Sequence, residues 1–351
     1  MNNDITFSVD KIVRANVAAL KPYSSARDEY VSDGSKMIFL DANENPFETG
    51  VNRYPDPQQR SLKAILADQN NLSVNQILLG NGSDEVLDLL FRAFCEPNQD
   101  EIITLPPTYG MYGVLAGINS IKNKEVVLTK DFQPNTNQIV SQVTERTKII
   151  FLCSPNNPTG NSFSDDAVEE ILSQFNGIVV IDEAYIDFSN KASYSAKLQQ
   201  FPNLVITQTL SKAYGLAGIR LGICYASQEI IEVLNKIKPP YNVNELTQTR
   251  ATERVLNNDA VAAEIMVLVK ERERLSQALK GLAFVTTVFP SEANFLLARV
   301  DNATKRYNEL LAKGIVVRNR TNQALCENTL RFTIGKVEEN DKLITVLKGL
   351  D

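Results

Sequence analysis

The sequence predicts an α/β fold in which a central, mostly parallel sheet forms a large domain and a smaller α+β domain follows it. Two observations support this prediction. Short apolar runs rich in Ile and Val alternate with helical patterns through the middle of the chain, which is typical of parallel strands joined by helices. The 351 residues, 43% hydrophobic and 22% charged, are also enough for one large and one small globular domain.

The first predicted elements are a helix over residues 61–70 and a short strand over 76–80. A second helix is predicted over 83–95, because a serine and two acidic residues fill its first turn, where capping and the helix dipole favour them. A further helical pattern covers residues 164–175. The remaining apolar runs of this half predict strands at 102–105, 125–128, 148–153, 178–181, 204–207 and 221–225.

The C-terminal part of the chain has a different pattern. A long amphipathic helix is predicted over residues 257–281, and short strands follow at 295–298, 315–318 and 330–334. These elements predict the smaller α+β domain. We therefore expect an N-terminal arm (1–35), a large domain that carries the cofactor site (36–250) and a small C-terminal domain (251–351).

Charge and composition exclude several classes of function. The net charge is −6, from 36 Lys and Arg against 42 Asp and Glu, which argues against a nucleic-acid partner. The chain contains no histidine, so Ser-His-Asp and Cys-His nucleophile systems and histidine-ligated zinc are excluded. Proton transfer in an enzyme of this composition must fall to Lys, Tyr, Asp, Glu or Cys, or to a cofactor.

The cysteines and the N-terminus indicate where the protein works. Four cysteines lie far apart without CxxC spacing, so we expect no metal site and no disulfide framework, but reduced thiols in the cytoplasm. The N-terminus lacks the basic start and apolar run of a secretory signal. No stretch reaches the roughly 18 uninterrupted apolar residues of a membrane span, so we expect no membrane association.

Polar side chains follow three consecutive predicted strands. SPNNPTG supplies Asn157, DEAY supplies Asp182 and Tyr185, and TLSKAYGLAGIR supplies Lys212 with Arg220 eight residues later. The carboxyl ends of parallel strands meet at one edge of a sheet, where ligands bind. The sequence therefore brings an amide, a carboxylate, a phenol, an amine and a guanidinium together.

This set suits pyridoxal phosphate. The cofactor needs a lysine for a Schiff base, a carboxylate at its ring nitrogen, donors at its phenolate oxygen, and cations and backbone N–H groups at its phosphate. LGNGSDE (79–85) adds a glycine-flanked turn that opens a helix, where N–H groups and the helix dipole can hold the same phosphate.

The motifs resemble those of the fold-type I, aspartate-aminotransferase-like family of pyridoxal-phosphate enzymes, through nearly the whole chain. SPNNPTG and SKAYGLAGIR are shared across that superfamily. The histidinol-phosphate branch is indicated by NENPF (43–47), RYPDP (53–57), PPTYGMY (106–112) and DEAYIDF (182–188). The resemblance implies reversible amino transfer between L-histidinol phosphate and 2-oxoglutarate, giving imidazole acetol phosphate and glutamate.

The resemblance also implies roles for single residues. Lys212 would form the Schiff base and then move the proton. Asp182 would pair with the pyridinium nitrogen, Asn157 and Tyr185 would hydrogen-bond the phenolate oxygen, and Tyr109 would stack on the ring. The cofactor phosphate would be surrounded by Ser83, Asp84, Thr209, Ser211 and Arg220.

Further implied roles concern the substrate and the partner subunit. Tyr54 would reach the phosphate of the neighbouring subunit's cofactor, which implies a homodimer. Arg331 would bind the substrate carboxylate or phosphate with help from Arg318, and the nearby Arg320 could serve instead of Arg318. Tyr23 and Asn45 would line the substrate pocket.

Other interpretations stay open. Singly, a lysine after a strand is usually a surface lysine, an aspartate there is commonly a helix cap, and Asn-Pro is commonly a turn. An aromatic or broad-specificity aminotransferase, or a threonine-phosphate decarboxylase, would share the cofactor residues. A non-catalytic regulator that binds the cofactor would need an added DNA-binding or effector module, for which 351 residues leave no room.

Overall fold

A seven-stranded sheet forms the centre of the computed structural model, which describes residues 7–22 and 37–350. The strand order is β1-β7-β6-β5-β4-β2-β3, and all neighbouring pairs are parallel except those of β7, which runs antiparallel to β1 and β6. The predicted α/β class with a mostly parallel sheet is therefore confirmed. The strands are β1 (Ile77–Asn81), β2 (Glu101–Thr104), β3 (Lys122–Glu125), β4 (Thr147–Cys153), β5 (Ile178–Asp182), β6 (Leu204–Thr209) and β7 (Leu221–Ala226).

Helices cover both faces of this sheet. In the described part of the chain up to residue 255 they are α1 (Val9–Ile12), α2 (Ala15–Ala18), α3 (Arg60–Asn70), α4 (Gly82–Phe94), α5 (Met111–Ile118), α6 (Thr136–Gln142), α7 (Asp165–Gln174), α8 (Gln228–Ile237) and α9 (Glu245–Val255). Short 3₁₀ turns lie at 74–76, 186–188, 194–197 and 217–219.

The central strands are apolar on both faces because helices cover both. Ile150 and Leu152 of β4 enter one core with α3 and α7, whereas Ile149 and Phe151 enter the other with α4, α5 and α8. Alternation of side chains along each strand produces this division. The described N-terminal segment packs on the second core through buried Val17.

A second, four-stranded sheet lies in the C-terminal part of the chain. Its order is β10-β11-β9-β8, all antiparallel, and its strands are β8 (Val285–Val288), β9 (Phe295–Val300), β10 (Arg318–Asn319) and β11 (Thr329–Thr333). Three helices accompany it: α10 (Asn258–Lys280), α11 (Ala303–Ala312) and α12 (Val337–Lys348). The predicted long helix over 257–281 and the smaller α+β unit are confirmed.

Two strand predictions were misplaced. The strand expected at 125–128 lies at Lys122–Glu125, and the apolar residues after it are buried in the following loop. β3 is an edge strand of charged and polar residues, which is how edges avoid pairing with other chains, so it has no apolar run. The strand expected at 315–318 begins only at Arg318.

Two further features complete the fold. All four cysteines are buried and free. No helix in the described part of the chain is both long and apolar enough to cross a membrane.

Candidate active site

A cleft opens at the carboxyl ends of β4, β5 and β6, where Cys153 and Asp182 are direct neighbours across the sheet. It encloses about 470 Å³ of empty space, part of it open to solvent. Every predicted cofactor residue except Tyr54 lies in its wall. The lining residues are Ser83, Asp84, Tyr109, Cys153, Asn157, Asp182, Ala184, Tyr185, Thr209, Ser211, Lys212 and Arg220.

Asp182 is a buried carboxylate at the floor of the cleft, only 3% exposed. Its Oδ2 accepts a hydrogen bond of 2.7 Å from the Tyr112 hydroxyl, and its Oδ1 accepts one of 3.1 Å from the Ala184 N–H. No lysine or arginine of the described chain forms an ion pair with it, and burial raises its pKa. A buried carboxylate without a cation is costly, so this site suits a ligand that brings positive charge.

Sequence reasoning assigned no role to Tyr112, nor to Cys153 and Ala184 of the lining. Tyr112 is fully buried in α5, and its ring stacks on the Phe151 ring with centres 4.7 Å apart. The rings of Tyr109 and Tyr112 make an edge-to-face contact. The signal available was a phenol on the apolar face of a helix, because a buried hydroxyl requires a partner. No pattern in the sequence identifies Asp182 as that partner.

Lys212 lies after β6, with its Nζ 5.7 Å from the centre of the Tyr185 ring. Burial and then the nearby charge of Arg331 lower the pKa of its amine, while Asp182 opposes that shift. A lowered pKa increases the fraction of neutral amine, which is the form that attacks carbonyl groups and accepts protons.

Asn157 connects the cleft with the second sheet. Its Nδ2 donates to the Tyr185 hydroxyl at 3.4 Å, and its Oδ1 accepts a hydrogen bond of 2.6 Å from the Arg331 guanidinium. Burial raises the pKa of Tyr185, so its hydroxyl keeps its proton at neutral pH and can donate it in a hydrogen bond. Arg331, on β11, also lies over the Phe295 ring of the same sheet at 5.1 Å.

The N-terminus of α4 and Arg220 form a cradle for an anion. Gly82 begins the helix with φ +73, and a Cβ there would lie 2.5 Å from a guanidinium nitrogen of Arg220. Arg220 donates to Ser211 Oγ and to Asp84 Oδ2, each at 3.4 Å. Backbone N–H groups at a helix N-terminus beside a guanidinium suit a phosphate.

Thr209, a predicted phosphate contact, and Tyr109, predicted to stack on the cofactor ring, lie beside this cradle. Thr209 accepts a hydrogen bond from the Ser211 N–H at 3.1 Å and thereby fixes the loop that carries Lys212. The Tyr109 hydroxyl donates to Asp84 Oδ1 at 3.0 Å, which places the Tyr109 ring at the wall of the cleft above Tyr112.

Three predicted site residues of the described chain neither line this cleft nor hydrogen-bond to a residue that lines it. Arg318 is exposed on β10, opposite Arg331. Tyr54 is about half exposed and stacks on Tyr241, with ring centres 4.5 Å apart. Asn45 is exposed and accepts a hydrogen bond from the Phe47 N–H. Tyr23 lies outside the described residues.

The residues of the cleft fit pyridoxal phosphate. The unpaired buried carboxylate of Asp182 matches a protonated ring nitrogen, and the amide and phenol of Asn157 and Tyr185 match a phenolate oxygen. Gly82, where a Cβ would collide with Arg220, leaves the space beside the helix N-terminus that a phosphate requires.

Comparison with known proteins agrees with this fit. Residues 38–347 match the family model described as aminotransferase class I and II. The chain is 67% identical over 347 residues to the histidinol-phosphate aminotransferase of Flavobacterium johnsoniae, with 99% of each chain covered.

Solved structures share the fold. The histidinol-phosphate aminotransferase of Clostridium acetobutylicum is 25% identical, with a TM-score of 0.79 over 86% of this chain and 91% of that one. The enzyme of the same name from Sinorhizobium meliloti, solved with pyridoxal-5′-phosphate, is 21% identical, with a TM-score of 0.77 over 85% and 84% of the two chains. The chain therefore belongs to the class I and II aminotransferases, a family of pyridoxal-phosphate-dependent enzymes.

Proposed function

We propose that this chain is a histidinol-phosphate aminotransferase, which transfers an amino group reversibly between L-histidinol phosphate and 2-oxoglutarate in histidine biosynthesis. The observation that carries the proposal is the position of Arg331. Its guanidinium reaches Asn157 in the wall of the lysine-bearing cleft, and no carboxylate of the described chain pairs with it. An anionic substrate held there would have its amino carbon near Lys212.

Different residues of the cleft would contact different parts of the cofactor. Lys212 would hold it covalently, Asp182 at the ring nitrogen, Asn157 and Tyr185 at the phenolate oxygen, and the α4 N-terminus with Arg220 at the phosphate. When bound, pyridoxal phosphate supplies an electron-withdrawing ring that makes the Cα–H of the amino substrate acidic.

Asp182 and Lys212 act on protons in this scheme. The carboxylate of Asp182, held by hydrogen bonds from Tyr112 and the Ala184 N–H, would favour a protonated ring nitrogen on the bound cofactor. Nζ of Lys212 accepts the proton that leaves the substrate Cα. The lowered pKa of Lys212 favours the neutral amine that this step requires.

Arg331 would anchor both substrates. A planar guanidinium binds either carboxylate or phosphate oxygens in a two-pronged geometry. The hydrogen bond to Asn157 fixes its orientation. Arg318, directly opposite Arg331 across β10 and β11, adds charge for the phosphate.

We also propose the assembly and location of the enzyme. An arm (1–35), a large domain (36–250) and a small domain (251–351) would form a homodimer in which Tyr54 contacts the neighbouring subunit's cofactor. The exposed ring of Tyr54 and the exposed apolar side chains of Phe47 and Leu246 support a second copy at this surface. Four free, buried cysteines support a cytoplasmic location.

A comparative assay tests the function. Purified protein with pyridoxal phosphate and 2-oxoglutarate should give the highest kcat/KM with histidinol phosphate. Preference for phenylalanine would instead indicate an aromatic aminotransferase. Release of carbon dioxide from threonine phosphate, without glutamate formation, would indicate the decarboxylase.

A further inference from the structure

Three arginines lie on one face of the four-stranded sheet, and one of them, Arg331, reaches Asn157 in the wall of the cleft. Arg318 pairs directly with Arg331 across β10 and β11, and the ladder continues as the Arg320 N–H donates to the Thr329 carbonyl. Residues two apart on a strand share a face, so Arg320 lies on the same side as Arg318. Phe295 of β9 shares that face, and its ring meets the Tyr185 ring in the cleft.

No carboxylate of the described chain balances the charges of these three arginines. Within residues 37–350, no carboxylate lies within ion-pair distance of Arg318, Arg320 or Arg331, and the buried Nε atoms of Arg320 and Arg331 donate to no protein atom. Arg299, on the same face of β9, does have a carboxylate partner, Glu327, at 3.7 Å. The Nε atom of Arg299 is likewise buried without an acceptor, so the lack of a carboxylate partner is what distinguishes Arg318, Arg320 and Arg331 from it.

Arg320 is partly buried beside the other two charges. Burial, followed by the charges of Arg331 and Arg318, lowers its pKa to about 10, so it stays protonated at neutral pH. Like charges held directly opposite each other destabilise a sheet unless another charge compensates them. A phosphate monoester carries about −1.5 to −2 at pH 7, whereas a carboxylate carries only a single charge.

We propose that Arg320 is a specificity-determining residue, which makes the anion site of Arg318 and Arg331 select a phosphate monoester over a carboxylate. Two arginines are enough to hold a carboxylate, and the third supplies the additional charge that a dianion matches. The substrate named for this site rests on the proposed function, but the preference for a dianion does not.

Anion binding to the cofactor-loaded enzyme is the deciding test, because loading fills the other phosphate site at the α4 N-terminus. Calorimetric titration with inorganic phosphate should show a Kd that rises about tenfold or more in Arg320→Met, the loss typical of a charge-assisted hydrogen bond. Arg320→Lys keeps the charge but loses the planar, two-pronged guanidinium, so its Kd should lie between those of the unmodified enzyme and Arg320→Met. Arg299→Met removes a charge from the same face and should leave the Kd within about twofold.

Steady-state kinetics adds a second readout. In Arg320→Met, kcat/KM should fall on the order of 10- to 100-fold for histidinol phosphate, and the fall for glutamate should be at least several-fold smaller. Equal losses for both substrates would overturn the proposal. So would an unchanged phosphate Kd in Arg320→Met, or absence of phosphate binding by the unmodified enzyme at millimolar concentration.

The two proposals fail separately. If the unmodified enzyme does not turn over histidinol phosphate but loses phosphate affinity in Arg320→Met, the dianion site is supported and the proposed substrate is wrong. If it turns over histidinol phosphate and Arg320→Met binds phosphate normally, the proposed function is supported and the role of Arg320 is wrong. Thermal unfolding of each variant identifies any loss that comes from misfolding, in which case Arg320→Lys decides.

Discussion

At the scale of single residues, the cleft contains a lysine of lowered pKa and a buried carboxylate that forms no ion pair with a cation of the described chain. Lys212→Ala removes the only amine that lines the cleft in the described chain. The variant should lose the covalent link to the cofactor, seen as loss of a borohydride-stable label, and nearly all turnover. The cofactor should still bind reversibly through its phosphate and ring contacts. Near-normal turnover in this variant would exclude Lys212 from the reaction.

Tyr112 is a positioning residue that acts through Asp182. Its hydrogen bond lowers the pKa of Asp182 against the effect of burial, so Tyr112→Phe should raise that pKa further. Loss of a hydrogen bond to a buried charge costs about 1.5–3 kcal/mol, which corresponds to roughly 10- to 150-fold in kcat. The pH titration of the bound cofactor's absorbance should shift as well. Tyr225→Phe, which removes a buried hydroxyl from the other core, should leave that titration unchanged.

Glu183, beside Asp182, should make stability depend on pH. Burial raises its pKa to about 7, although Ser193, Gln208 and the Tyr194 N–H all donate to it. The unfolded chain releases this proton near pH 4.3, so the free energy of unfolding should fall as pH rises from about 4.5 to 7 and level off above. Glu183→Gln should flatten that window in thermal unfolding curves. An unchanged slope would show that Glu183 ionises normally in the folded protein.

At the scale of elements, the start of α4 decides whether a phosphate can be held. Gly82→Ala forces a left-handed φ on alanine and drives a methyl group toward Arg220, so cofactor affinity should fall and stability should drop by about 1–2 kcal/mol. Gly117, exposed inside α5 with open space around it, is the matched control. Gly117→Ala should stabilise the protein by up to about 1 kcal/mol. Equal cofactor affinity in Gly82→Ala and the unmodified protein would contradict the assignment of the cradle.

Strands and helices with a clear apolar pattern were predictable, and those without one were not. β4, β5 and β6 are buried on both faces and appear as continuous apolar runs, and the polar residues after them mark the edge where the cleft lies. β3 was misplaced because an edge strand gains little from apolar residues. The Tyr112–Asp182 hydrogen bond joins residues 70 apart, and no local pattern indicates such a contact.

At the scale of the whole molecule, Tyr54 is half exposed and does not line the cleft of its own chain. If Tyr54 serves a neighbouring cleft, Lys212→Ala and Tyr54→Ala proteins should each be nearly inactive, and mixed dimers should recover activity. One of the two clefts in each mixed dimer carries neither change. Co-expression with two different affinity tags isolates the mixed dimers for assay. Full activity in a verified monomer would contradict shared sites.

The hydrogen bond between Arg331 and Asn157 has a consequence for how the enzyme senses its substrate. The Arg331 guanidinium, which we propose receives the substrate anion, donates to Oδ1 of Asn157, and Nδ2 of the same amide donates to the Tyr185 hydroxyl. An anion that binds Arg331 competes with Asn157 for the guanidinium N–H groups. Anion binding therefore changes how Asn157 and Tyr185 are held at the cofactor oxygen before the reaction starts. This coupling is reciprocal. If a bound anion changes the proton affinity of the cofactor by some factor, protonation of the cofactor changes the affinity for the anion by the same factor. Anion binding is thus thermodynamically coupled to the state of the cofactor through Asn157. An anion that does not react should therefore shift the absorbance spectrum of the bound cofactor.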